Sequence, residues 1–308
     1  MTCYVLDSQL TAYIQESSTF TPVTDSLADR REAFADACRH FTPPRPQGVA
    51  VEDQEVEGLR VRIYMPTERA PTDGWATMLY FHGGGWNMGS HKTHDWFVYA
   101  LLRRVKIAVV AVDYRLAPEH PFPAPLEDGL KVWKAIQAGC FPDLDRNRMM
   151  VSGDSAGGAL AAGLCVALKE LALPQPRLQI LVYPVLSARV GSGSMKTHAN
   201  APMLTTAGLL ASLEGYVPGS EHKSDFRALP LELRDARGLA PAFIGVAQYD
   251  PLFDHGVDYA RRLRSAGVPC DLYVGEGLVH ASLRASGVAA VEDFYDEIGR
   301  SIRKSVVD

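Results

Sequence analysis

Apolar and polar positions along the chain follow two successive rhythms. Between Asp7 and Gln15, and again between Leu27 and Phe41, apolar residues return at helical spacing, and the second stretch gathers Arg30, Arg31 and Glu32 on a polar side. Thr42-Pro43-Pro44-Arg45-Pro46 stops that pattern, because proline lacks an amide hydrogen and clashes with the preceding turn. Beyond it, β-branched or aromatic runs predict strands at Glu52–Val56, Leu59–Met65, Met78–His82, Ile107–Asp113, Met149–Ser152, Gln179–Tyr183, Phe243–Ala247 and Asp271–Val274. Helical stretches come between several of them, at Lys92–Arg104, Pro125–Ala138, Ala156–Leu171 and His255–Ala266, with a last one over Ser282–Arg303. The tight Glu57-Gly58 turn makes the first two strands an antiparallel hairpin at a sheet edge. The later runs predict a mostly parallel sheet covered on both faces by helices. One region breaks the alternation. Leu186 to Phe226 leaves a strand without a prompt return, carries Gly191-Ser192-Gly193-Ser194 and a helical pattern near Thr206–Glu214, and is predicted to be an insertion.

Composition narrows the class of partner. The 308 residues are 47% hydrophobic and 22% charged, with 26 glycines and 20 prolines in no repeating period, which supports a large core and excludes disordered or fibrous chains. A net charge of −5 provides no basic footprint for nucleic acid or anionic lipid, so the expected partner is a small molecule. Cys3, Cys38, Cys140, Cys165 and Cys270 are odd in number and never spaced C-x-x-C, which predicts reduced thiols and neither a disulfide framework nor a zinc cluster. The first residues show no continuous apolar core of a signal peptide, and Ala156 to Leu168 is too short to span a bilayer. The expectation is a cytoplasmic protein with no membrane span.

The chemistry concentrates in two glycine-rich turns. Gly153-Asp154-Ser155-Ala156-Gly157 has the G-x-S-x-G form and sits between a predicted strand and a predicted helix. A serine at the apex of such a turn takes a strained backbone, and the positions two before and two after have no room for a β-carbon. Phe81-His82-Gly83-Gly84-Gly85-Trp86 follows another strand, and its glycines expose backbone N–H groups of the kind that receive an oxyanion, together with the N–H of Ala156. A phosphate loop is excluded because Ser90-His91 follows Gly89 where Lys-Ser/Thr is required. His82 is read as a structural hydrogen-bonder, and Asp154 as an orienter of the glycine loop.

A base is expected on the loop after the last strand, where His280 is the candidate. His198 and His222 fall in the insertion, and His255 is expected as a solvated residue opening a helix. The acid is expected after Phe243–Ala247, where Asp250 lies closer to the strand end and Asp254 is placed as the N-cap of the next helix; Glu276 is a third contender. His91, His94 and Asp95 match no metal-binding spacing, so no metal and no cofactor are assigned.

Taken jointly, His82-Gly83-Gly84-Gly85-Trp86, Asp113-Tyr114-Arg115-Leu116-Ala117-Pro118-Glu119, Gly153-Asp154-Ser155-Ala156-Gly157-Gly158 and Asp250-Pro251-Leu252-Phe253-Asp254 resemble the hormone-sensitive-lipase group of α/β-hydrolases, in particular its bacterial carboxylesterases. The resemblance implies an α/β-hydrolase fold with an eight-stranded sheet and a helical cap. It implies Ser155 as nucleophile, Asp250 as acid, His280 as base, and Gly84, Gly85 and Ala156 as oxyanion donors. Residues 1–45 and 188–225 are expected to form the cap, and 46–187 with 226–308 the catalytic core. The family's His-Gly-Phe is replaced by His280-Ala281-Ser282, which alters the pocket wall beside the base. Trp86, open to either anchoring its loop or lining the pocket, is assigned with Tyr183 and Met203 to substrate contact; Tyr13, Phe34, Leu209 and Tyr216 are further candidate walls. The expected activity is hydrolysis of short-to-medium acyl esters through an acyl-enzyme, with lactone or amide hydrolysis, or a non-catalytic receptor on the same fold, as alternatives. The sequence does not decide between a monomer and a homodimer.

Overall fold

The computed structural model describes residues 4–189, 193–219 and 224–306. Its centre is one sheet of eight strands: β1 (Val49–Val56), β2 (Leu59–Pro66), β3 (Trp75–Phe81), β4 (Ala108–Val112), β5 (Leu144–Asp154), β6 (Gln179–Val182), β7 (Ala242–Tyr249) and β8 (Cys270–Val279). The spatial order is β1-β2-β4-β3-β5-β6-β7-β8. β1 pairs with β2, and β2 with β4, in antiparallel register, and every later pair is parallel.

Successive side chains of a strand point to opposite faces, and here they feed two cores. Leu79, Phe81, Val110 and Val112 face one side, covered by α4 (Ala124–Gln137), α5 (Ala156–Glu170) and α8 (Phe253–Ser265). Met78, Tyr80, Val109 and Ala111 face the other, covered by α3 (Asp95–Leu102) and α9 (Ala289–Val306). Every residue of β3 is buried, as a central parallel strand between two helical layers requires.

The remaining helices lie around the C-terminal ends of the parallel strands. They are α1 (Ser8–Ser17), α2 (Leu27–His40), α6 (Gly193–Thr197) and α7 (Thr206–Tyr216). Asp7 caps α1 through Gln9 and Leu10, Ser26 caps α2 through Asp29, and Thr205 caps α7 through Gly208. The Arg31 side chain joins α2 to the core: Nε donates to the Asn87 carbonyl at 2.8 Å, and the guanidinium pairs with Glu119.

The expected helix over Ser282–Arg303 is instead a 3₁₀ turn at Ser282–Arg284 followed by α9 from Ala289. Gly287, at φ 90°, turns the chain between the two. Asp254 is not the N-cap of α8; Leu252 holds that position. The Asp254 carboxylate instead accepts the Ser194 N–H at 2.7 Å and ties α6 to the core. His255 is buried, not solvated, and its Nδ1 accepts the Leu186 N–H at 3.2 Å. Gly191, Ser192, His222 and Cys3 lie outside the described residues.

Candidate active site

The turn from β5 into α5 works only because two glycines let backbones meet. A β-carbon on Gly157 would stand 2.0 Å from the Phe81 carbonyl oxygen, and one on Gly153 2.3 Å from the Gly157 carbonyl. Ser155 occupies the apex at φ 55°, ψ −116°, a conformation a side chain rarely adopts. Hydrogen bonds on both sides hold it there: Ser155 N–H donates to Val182 O at 2.9 Å, and Ser155 O accepts from Val185 N–H at 3.1 Å.

Two strand ends bring the other polar groups to this apex. His280, directly after β8, has Nε2 2.9 Å from Ser155 Oγ and Nδ1 2.7 Å from Asp250 Oδ2. Asp250, directly after β7, is fully buried, and its Oδ1 accepts the Leu252 N–H at 2.8 Å. With Nδ1–H donated to the carboxylate, Nε2 is left as the acceptor for the serine hydroxyl. Glu276 is exposed on β8 and Asp254 is engaged with α6, so neither occupies this position. The loop after His280 is fixed as well. Ser282 Oγ accepts Val279 N–H at 2.9 Å, and Tyr13 on α1 donates its hydroxyl to Ala281 O at 3.0 Å.

The glycine loop after β3 hangs on Asp154, whose Oδ1 accepts Gly83 N–H at 2.9 Å and the Tyr80 hydroxyl at 2.6 Å. Burial opposes ionisation of Asp154, but His94 at 3.5 Å and Tyr80 outweigh it and hold the carboxyl below its ordinary range. His82 stacks on Tyr114 at 4.2 Å and bonds to Gly83 O, and burial pushes its pKa down to about 3. It is therefore neutral and structural. Gly84 and Gly85 follow with φ 115° and 59°. Among the described residues, no protein acceptor takes the N–H of Gly84, Gly85 or Ala156.

Ser155, His280, Asp154, Gly84 and Gly85 line one cavity of about 220 Å³, with Phe34, His94, Met203, Leu209 and Arg284 also in its wall. Of the residues expected to contact substrate, Met203 lines it. Trp86 and Tyr183 do not. Trp86 is fully buried and stacks on Tyr216 at 4.2 Å in the core beneath, so it anchors its loop. Tyr183 is buried behind the His280 ring at 4.7 Å. Tyr13 and Tyr216, proposed as walls, also fall outside the lining, whereas Phe34 and Leu209 are in it. His94 and Arg284 also line the wall, and no motif in the sequence marks either as a wall residue.

Residues 78–284 match the model of a family with the α/β-hydrolase fold. The carboxylesterase NlhH of Mycobacterium tuberculosis is 38% identical over 275 residues, covering 84% of this chain and 84% of its own. An ethyl acetate hydrolase of Pseudomonas putida is 36% identical over 239 residues, covering 76% of this chain and 74% of its own. The solved structure of the ester hydrolase EH1AB1 from the metagenome of Lake Arreo, complexed with a derivative of bipyridine phosphonate, superposes with a TM-score of 0.87. It is 31% identical and covers 97% of this chain and 98% of that one. The chain belongs to this α/β-hydrolase family, in its hormone-sensitive-lipase-like branch of carboxylic ester hydrolases. Among the described residues, no helix is long and apolar enough to cross a membrane, and no group of three metal-ligating side chains occurs.

Proposed function

We propose that the protein hydrolyses short-to-medium acyl esters through a covalent acyl-enzyme, with Ser155 as nucleophile, His280 as base and Asp250 as its partner. The carrying observation is the unbroken hydrogen-bond line from Asp250 through His280 to Ser155, at 2.7 and 2.9 Å, opening into a small cavity. As Ser155 Oγ bonds to the ester carbonyl carbon, its proton passes to His280 Nε2, and Asp250 stabilises the imidazolium. The carbonyl oxygen becomes an anion, received by the N–H groups of Gly84, Gly85 and Ala156. Collapse breaks the bond to the alcohol oxygen, which leaves with the proton from Nε2. Water then gives a proton to Nε2 and attacks the acyl carbon, and a second collapse releases the acid and returns the proton to Ser155.

Residues 1–45 and 188–225 act as the cap, since Phe34, Met203 and Leu209 from them enclose the cavity and limit acyl length. Cys38, Cys140, Cys165 and Cys270 are unpaired, which supports a reducing, cytoplasmic setting. The test is a series of p-nitrophenyl esters from acetyl to palmitoyl. Rates should peak at short acyl chains, and Ser155→Ala should lower turnover by about a million-fold. A phosphonate should label Ser155 and no other serine by mass spectrometry. Turnover by Ser155→Ala near that of the parent protein would end this reading.

A further inference from the structure

Arg284 is a cavity residue that ester hydrolysis leaves without a task. It ends the 3₁₀ turn that follows the base, is nine-tenths buried, and faces the same cavity as Ser155 and His280. Its contacts are neutral. Nη1 reaches the Cys38 thiol at 3.6 Å, and the guanidinium lies over the Phe34 ring at 5.7 Å. Burial pushes both the Cys38 thiol and the nearby Tyr13 hydroxyl up, so neither supplies a negative charge at neutral pH. Asp154, the carboxylate in the cavity wall, is engaged by Gly83, Tyr80 and His94 and forms no ion pair with Arg284. His280 is committed to Asp250 and Ser155. Among the described residues, no carboxylate pairs with Arg284.

Other arginines here show what is missing. Arg62 is paired with Asp53 and Asp95, and Arg115 with the buried Asp128. A guanidinium keeps its proton in proteins, and leaving one buried without a counter-charge is strongly unfavourable. A ligand carboxylate entering the cavity would supply that counter-charge and match the guanidinium's forked donors. We infer that Arg284 receives a carboxylate carried by the substrate, so that the protein selects acidic esters: half-esters of dicarboxylic acids, or acyl esters of hydroxy acids. The inference rests on the ester-hydrolase reading of the Ser155 site. In it, Arg284 determines specificity and takes no part in bond breaking.

The test compares each anionic ester with an uncharged isostere at pH 7. Monoethyl succinate against ethyl 4-methylpentanoate places the charge on the acyl side; 2-acetoxypropanoate against 3-methyl-2-butyl acetate places it on the alcohol side. At least one anionic ester should show kcat/KM about tenfold to a hundredfold above its isostere, expressed mainly in KM. In Arg284→Met that ratio should fall by about tenfold or more, with partial recovery in Arg284→Lys. The ratio is internal to one preparation, so a loss of folded protein cancels from it. If Arg284→Met does not fold, competition in the parent protein decides: isobutyrate should inhibit p-nitrophenyl acetate hydrolysis at a lower concentration than isobutyramide. Ratios at or below one for both pairs, an unchanged ratio in Arg284→Met, or equal inhibition by acid and amide would overturn the inference and make Arg284 a clamp for α1 and α2. Those outcomes leave hydrolysis of neutral esters standing, whereas its absence together with failed phosphonate labelling strikes the ester-hydrolase reading itself.

Discussion

Two walls of one cavity are built by different rules. On the wall made by strand ends, each polar side chain has its partner: Asp250 takes His280 and Leu252, Asp154 takes Gly83 and Tyr80, and Ser155 faces His280. Their positions follow from backbone that the sheet holds in register. On the facing wall, Phe34 from α2 and Met203 and Leu209 from the 193–219 segment contribute apolar side chains, and Arg284 brings a charge that no carboxylate among the described residues pairs. In the proposed mechanism the rigid polar groups carry out bond exchange, and the packed, mostly apolar surface selects what reaches them. Substitutions on the first wall should therefore change turnover, and those on the second the choice of ester.

The sharpest break of this contrast is at Asp250. Asp250→Asn should lower kcat by about 10⁴-fold at nearly unchanged melting temperature, because the amide disfavours the required imidazole tautomer. Asp254→Ala, four residues on, should keep most of the turnover. It should melt earlier, since losing the acceptor of Ser194 N–H costs about 1–3 kcal/mol. Circular dichroism melts beside steady-state rates check both, and the reverse pattern would move the acid to Asp254.

On the selecting wall, Leu209→Ala should raise the hexanoate-to-acetate ratio of kcat/KM by about an order of magnitude, as space opens for added methylenes. An unchanged acyl profile would remove Leu209 from the pocket boundary.

The smallest effect separates both walls from the scaffold below. Burial lowers the His255 pKa from 6.5 to about 4 and that of His82 from 6.5 to about 3. Both rings are neutral in the fold, whereas the unfolded chain binds protons below about pH 6.5, so their stabilising contribution is complete above that pH and drains away on acidification toward pH 4 and then 3. Melting temperature should therefore fall between pH 6.5 and 4. His255→Gln, which keeps an acceptor for Leu186 N–H, should make that fall shallower, as thermal melts across the pH series would reveal.

The first wall was legible in the sequence because strand-to-helix turns impose local rules. Gly153 and Gly157 flank Ser155 for lack of space, and Asp250 and His280 stand where β7 and β8 end. The second wall was only partly legible. Phe34, Met203 and Leu209 could be named as cap residues, but which side chain turns inward depends on packing between segments far apart in the chain. Trp86 was misplaced for that reason: at φ 59° its side chain swings under the glycine loop onto Tyr216. Arg284 was hidden by the helix expected over Ser282–Arg303, which would have placed it as an ordinary polar residue on a helix surface.

The bond from the Tyr13 hydroxyl to the Ala281 carbonyl joins residues 268 positions apart and lands immediately beside His280. It ties the first helix to the loop that carries His280, so a ligand that needs this loop in place also favours the attached helix. By mass action, a ligand that requires the docked arrangement stabilises it by RT ln(1 + L/Kd), where L is the free ligand concentration. The stretch between α1 and α2 should then resist protease nicking more strongly when a non-hydrolysable ester analogue is bound, and a cut there should slow turnover by freeing the loop that carries His280.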